Sequence, residues 1–138
     1  MSQQNISVLT LTLIASGAVT ANRGIGFDGA QATSQGQKVM GSAVTDSNSG
    51  SAVAVITNGT AIMESGAAIS IGDSLIVDSQ GRIIPASTLA VASGATPVTG
   101  SAANGAILEG SDLPEFIIAD AMQAASAAGK MIEVLLRR

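Results

Sequence analysis

Leu9, Leu11 and Leu13 alternate with Thr10 and Thr12, and a period of two predicts a half-buried strand. Gly24 to Phe27 is a second short candidate, ending at the turn signal Asp28–Gly29, and Val39 to Val44 is a third, closed by the polar run Asp46 to Gly50. Ala52 to Thr57 is rich in β-branched residues and runs into Asn58–Gly59. That pair tolerates positive φ at both turn positions, so the pattern predicts a hairpin with Ala61 to Glu64 as the returning strand. Gly72–Asp73 opens Leu75 to Val77, and Asp78, Ser79, Gln80 and Gly81 form a tight turn into Arg82 to Ile84. Pro85 stops that strand, because proline cannot donate to a ladder.

The remaining pattern is weaker until the end of the chain. From Ala86 to Gly110, Ala, Ser, Gly and Thr dominate, with Leu89, Val91 and Val98 the few larger apolar positions, which predicts a long loop. Asp112, Pro114 and Glu115 suit a helix start, and Phe116 to Ala128 is Ala-rich with Gly129 as a stop. A rival reading has a strand over Phe116 to Met122 and a turn across Gln123 to Gly129; a helix of one or two turns between two strands would satisfy both. Met131 to Leu136 is the firmer strand, with Ile132, Val134 and Leu136 on one face and Met131, Glu133 and Leu135 on the other. The expected fold is therefore all-β: a small β-sandwich or barrel-like protomer with short strands and at most one short helix. It fits a single domain over residues 1–138, with residues 1–5 as an arm and 86–110 as the long loop.

Composition changes what such a core can be. Hydrophobic residues make up 46% of the 138, yet Phe27 and Phe116 are the only aromatics. Each large ring ordinarily buries about 150–250 Å², so a core built from Val, Ile, Leu and Ala gains less burial per residue. A domain of this kind has more than most to gain from a neighbour that completes its core or its edges. Charge is sparse at 12%, with a net charge of −4, which disfavours nucleic acid as a partner because phosphate binding needs a basic face. The chain has no Cys, His, Tyr or Trp, so thiolate and imidazole metal sites, the commonest general base and the thiol nucleophile are ruled out. Ile6 to Ala18 resembles the apolar part of a signal peptide, but it has no positive flank and Ser7, Thr10 and Thr12 interrupt it with strand-like alternation. No run approaches the roughly 18 apolar residues of a membrane span.

Three patterns imitate chemistry. Gly24, Gly26 and Gly29 have the spacing of a dinucleotide fingerprint, but Ala30 to Gly36 is too short and polar for the helix that would hold a pyrophosphate; glycines at a strand edge and turn are the expected reading. Asp46, Asn48 and Gly50 begin like a calcium loop, but its twelfth position is Thr57 where a bidentate Glu is needed, which leaves a polar turn. Glu64, Asp73, Asp78, Glu109, Glu115 and Glu133 could supply a carboxylate pair for sugar cleavage, but each suits a turn or a solvated strand position and no Trp or Tyr offers a sugar platform. The expectation is a non-enzyme with no catalytic residue, no cofactor and no metal. Asn58, Gly59, Asp78 and Gly81 are expected as structural turns.

In order along the chain, the Thr-rich strand Leu9 to Leu13, Gly17–Ala18–Val19–Thr20–Ala21 with Arg23, Gly41 to Val44 with Asp46, and Ala52 to Gly59 form a characteristic series. Glu64 to Ile69, Gly72–Asp73, Asp78 to Arg82 and the closing stretch Ala119 to Leu136 continue it. The set resembles the small phage capsid cement, or head decoration, proteins of the DUF2190 type; the long segment Ala86 to Gly110 departs from the pattern. The resemblance implies a β-rich protomer, commonly trimeric, that binds the outside of an icosahedral phage head and stabilises it. The implied partners are the major capsid protein and further copies of the chain in a homotrimer, with no nucleic acid and no membrane. The chain would be made in the host bacterial cytoplasm and end on the capsid exterior. Ser2, Gln3, Gln4 and Asn5 are then a candidate capsid-contacting arm, able to add a strand to an exposed sheet edge. An alternative function is a tail or surface module that binds a receptor or glycan.

Overall fold

The computed structural model describes residues 3–86 and 115–137, and every regular element among them is a strand. These are β1 (Ser7–Ile14), β2 (Gly24–Ile25), β3 (Gly41–Ala43), β4 (Ala52–Glu64), β5 (Ser74–Val77), β6 (Ile83–Pro85), β7 (Ala119–Ala121) and β8 (Met131–Leu136). All strand pairings are antiparallel, in the order β2-β3-β4-β8-β7-β5-β6, with β1 added on β4. The sheet curls until its far strand meets its own spine: Ser65, just past the end of β4, forms a parallel bridge with Ile83 of β6, and Gly66 N–H donates to the Ile83 carbonyl at 2.7 Å. The result is a nearly closed barrel, the all-β architecture expected from the alternation.

Two apolar clusters fill it. The larger lies inside the ring of β4 to β8 and includes Ala61, Met63, Leu75, Val77, Ile83 and Val134. The smaller includes Ala15, Val19, Ile25, Met40, Val53 and Val55, with Leu13 packed against it. β4 is long enough to serve both: Val53 and Val55 belong to the smaller cluster, and Ile56, Ala61 and Met63 to the larger. Ser65 is fully buried at the seam. Its hydroxyl donates to the Ala127 carbonyl at 2.8 Å and accepts from Lys130 N–H at 3.0 Å, so the 125–130 loop is tied to the end of β4.

Three expectations change. Asn58 and Gly59 do not turn a hairpin; they lie inside β4, which continues straight through them. Gly59 uses its positive φ of 104° at an irregularity in the β1 pairing, where the register slips between Ser7 and Leu9. Beyond that point the strand gains a partner, β8, supplied from the far end of the sequence, and this long-range ladder overrides the local turn chemistry. Second, Phe116 to Ala128 contains no helix: the rival reading holds, with β7 at Ala119–Ala121 and an irregular loop leading into β8. The candidate helix start at Asp112 and Pro114, and residues 87–110 of the expected loop, lie outside the described residues. Third, β1 is a strand as its alternation implied, but it is not half-buried. Every residue from Ser7 to Ile14 except Leu13 is exposed.

Candidate docking surfaces

The arm is the first candidate. Ser2 lies outside the described residues, and Gln3, Gln4 and Asn5 are all exposed. They do not project outward. Gln4 N–H donates to a carboxylate oxygen of Glu133 at 3.1 Å, and the Gln3 side-chain amide donates to the Met131 carbonyl, so the arm lies back against β8. Glu133 is only 3% exposed although the alternation of β8 put it on the outer face; the arm and Gln123, whose side-chain oxygen accepts from Glu133 N–H at 3.1 Å, cover it.

The second candidate is β1 itself. It has a single strand partner among the described residues, β4, and no described strand pairs with its other edge. Val8 is 75% and Ile14 62% exposed, and Leu9 and Leu11 are exposed as well. Ser7 to Ile14 contains no charge. Natural edge strands are usually shortened, bulged or charged to prevent pairing with another chain. Here the two register shifts on either side of Leu9 are the only such devices in eight residues, and the stretch from Thr10 to Ile14 has none. The alternation in the sequence could not reveal this surface, because a strand covered by its own core and one covered by a neighbour have the same pattern.

The other singled-out residues serve the scaffold. Asp78 and Gly81 form the predicted turn between β5 and β6: Gly81 N–H donates to the Asp78 carbonyl at 3.1 Å. One Asp78 oxygen accepts from the Gln80 and Arg82 amides at 2.8 and 2.9 Å, and the other accepts from the Arg82 guanidinium at 2.8 Å. Glu64 pairs with Arg23 at 2.8 Å, Asp73 accepts from Ser70 N–H at 2.8 Å, and Glu115 accepts from the Gln35 amide at 3.3 Å. With Glu133 under the arm and Glu109 outside the described residues, the acids are dispersed over separate local duties rather than gathered around one cleft. Gly24 belongs to β2, and Gly26 to Ala30 close a turn in which Gly26 N–H donates to the Ala30 carbonyl at 2.7 Å. Asp46 accepts from Ala21 N–H at 2.8 Å, fastening its loop to the 19–22 segment. Beside it is a wide-mouthed depression of about 330 Å³ bordered by Val19, Ser47 and Asn48, too open to enclose a small molecule.

Comparison with known proteins agrees with the all-β fold. The family model described as "Phage cement protein" matches residues 2–137. No curated protein matches the chain. Among solved structures, the N base of the head fiber gp8.5 of bacteriophage phi29 is similar in fold, with a TM-score of 0.61, 16% sequence identity, and coverage of 94% of this chain and 93% of that one. This chain belongs to the phage cement protein family, and is a virion structural protein associated with the capsid.

Proposed function

We propose that the chain is a non-enzymatic capsid decoration protein that assembles as a homotrimer, seats on the outer surface of an icosahedral phage head against the major capsid protein, and stabilises the shell. The observation that carries this reading is β1: eight uncharged residues, mostly exposed, with one edge that no strand among the described residues pairs. A protein that docks on a finished shell must first exist free in solution, where a bare apolar strand invites aggregation. A second copy of the chain covers β1 before docking. This assigns β1 to contact between copies and leaves charged and mixed surfaces for the shell. The arm, Ser2 to Asn5, lies beside β8 and is exposed, which suits a segment that peels away to add to a capsid strand once the trimer has landed. Trimerisation then converts three weak contacts into one firm attachment, with a gain of roughly 10²- to 10⁴-fold in avidity.

The test uses the full chain and heads that lack it. Sedimentation should give a trimer in solution. Bound protein should saturate at a fixed number of copies per head, visible on the outer surface by electron microscopy, and the decorated heads should rupture at a higher temperature than bare ones. A chain that fails to bind heads, or that binds without changing the rupture temperature, defeats the proposal.

A further inference from the structure

The only two aromatic rings in the chain lie at one spot on the surface. Phe27 is 55% and Phe116 38% exposed. The Lys38 ammonium lies 6.0 Å from the Phe27 ring centroid and 5.5 Å from that of Phe116. An aliphatic core has most to gain from rings, so two exposed rings are a departure from what folding alone favours. Aromatic side chains are enriched at the centres of interfaces, where a few of them carry most of the binding energy.

The local backbone holds the cluster in place. Phe27 sits in the turn closed by Gly26 N–H on the Ala30 carbonyl, and Met40 N–H donates to the Ile25 carbonyl at 2.7 Å beyond it. Lys38 follows a second turn, in which Gln37 N–H donates to the Ser34 carbonyl at 3.2 Å and the Gln37 side chain accepts from the Thr33 and Ser34 amides. Phe116 comes from the far end of the chain and is clamped to that turn by Phe116 N–H donating to the Gly36 carbonyl at 3.0 Å. Three distant segments thus converge on one spot. Lys38 also differs from the arginines. Arg23, Arg82 and Arg137 each hold a carboxylate, whereas among the described residues Lys38 faces rings instead. A ring face attracts the charge but does not accept in-line hydrogen bonds as an oxygen does, so the ammonium keeps donors for an incoming acceptor.

We infer that Phe27, Lys38 and Phe116 form the patch that docks on the capsid shell, by receiving a carboxylate side chain of the major capsid protein flanked by apolar groups. The carboxylate meets the ammonium, and the flanking groups cover the rings and exclude water, so the ion pair forms in a lower dielectric than bulk water gives. The inference rests on the decoration role above and specifies the surface that performs it. Charge complementarity favours this occupant over a second copy, because the face assigned to contact between copies, β1, is uncharged.

The experiment compares wild type with Phe27→Ala, Phe116→Ala, Lys38→Glu and Lys38→Arg in sedimentation and in binding to undecorated heads. If wild type itself does not bind heads, the decoration role fails and the patch with it. Given wild-type binding, Phe27→Ala, Phe116→Ala and Lys38→Glu should each weaken attachment by at least roughly tenfold while the oligomeric state stays that of wild type. Lys38→Arg, which keeps the charge and stacks on rings, should bind within about threefold of wild type. Wild-type binding by all three disruptive variants would overturn the patch. So would loss of the oligomer in them, which would make this cluster an interface between copies.

Discussion

Gly59 and Gly129 both have positive φ, 104° and 79°, and they separate two costs that glycine substitutions usually mix. A Cβ on Gly59 would fall 2.3 Å from the Ile6 carbonyl oxygen, in backbone that is pinned by the β1–β4 ladder. A Cβ on Gly129 would meet nothing within 4 Å. Gly129→Ala should therefore show only the conformational cost, on the order of 1 kcal/mol. Gly59→Ala adds a collision that only a shift of β1 can relieve, and should cost at least about 2–3 kcal/mol. Thermal unfolding of the two variants side by side checks this, and equal losses would mean that the β1 lead-in yields freely. The contrast also explains why Asn58–Gly59 misled at the sequence level. A residue that tolerates positive φ serves a hairpin and an irregular ladder equally well, and the outcome was decided by β8, more than seventy residues away. No spacing rule links residues 27, 38 and 116 either. The only sign of that cluster in the sequence was that two rings existed at all.

At the level of elements, legibility followed the range of the interactions. β8 was readable to the residue because Ile132, Val134 and Leu136 alternate on the core face, and the Asp78–Gly81 turn was readable because its hydrogen bonds lie within a few residues. Barrel closure was not, since it depends on Ser65, a small polar residue with no periodic signature, which meets Ile83, Ala127 and Lys130 only when the sheet has curled. Ser65→Ala keeps the size and removes one hydroxyl, leaving the Ala127 carbonyl and the Lys130 amide without that partner beside a fully buried position. The expected loss is about 1–3 kcal/mol. Hydrogen exchange should locate it in the 125–130 loop and at β6 rather than in β1. Uniform loss of protection across all strands would instead mean that the seam and the rest of the barrel open as one unit.

For the whole molecule, the exposure of β1 ties folding to assembly. Leu13 alone anchors the strand's side chains in a core, so most of what β1 offers is available to a neighbour. Lysine on an edge strand is a standard barrier to pairing, and Val8 and Leu11 are two exposed apolar positions along it. In Val8→Lys with Leu11→Lys, both positions are exposed in the single chain, so the protomer itself should lose little stability, within about 1 kcal/mol. The assembly should respond quite differently. Two added charges per copy, desolvated in an apolar contact and repelling their counterparts, should shift the sedimentation profile to a monomer. Such a monomer still carries Phe27, Lys38 and Phe116 intact, so it should retain weak head binding, reduced by roughly 10²-fold or more because the linked contacts are gone. Retention of the oligomer by this double variant would place the contact between copies elsewhere, and β1 would then have to be covered by the shell. If a folded monomer instead bound heads at full strength, attachment would owe nothing to multiplicity, and the physical reason for leaving an apolar strand bare would have to be sought in the shell contact alone.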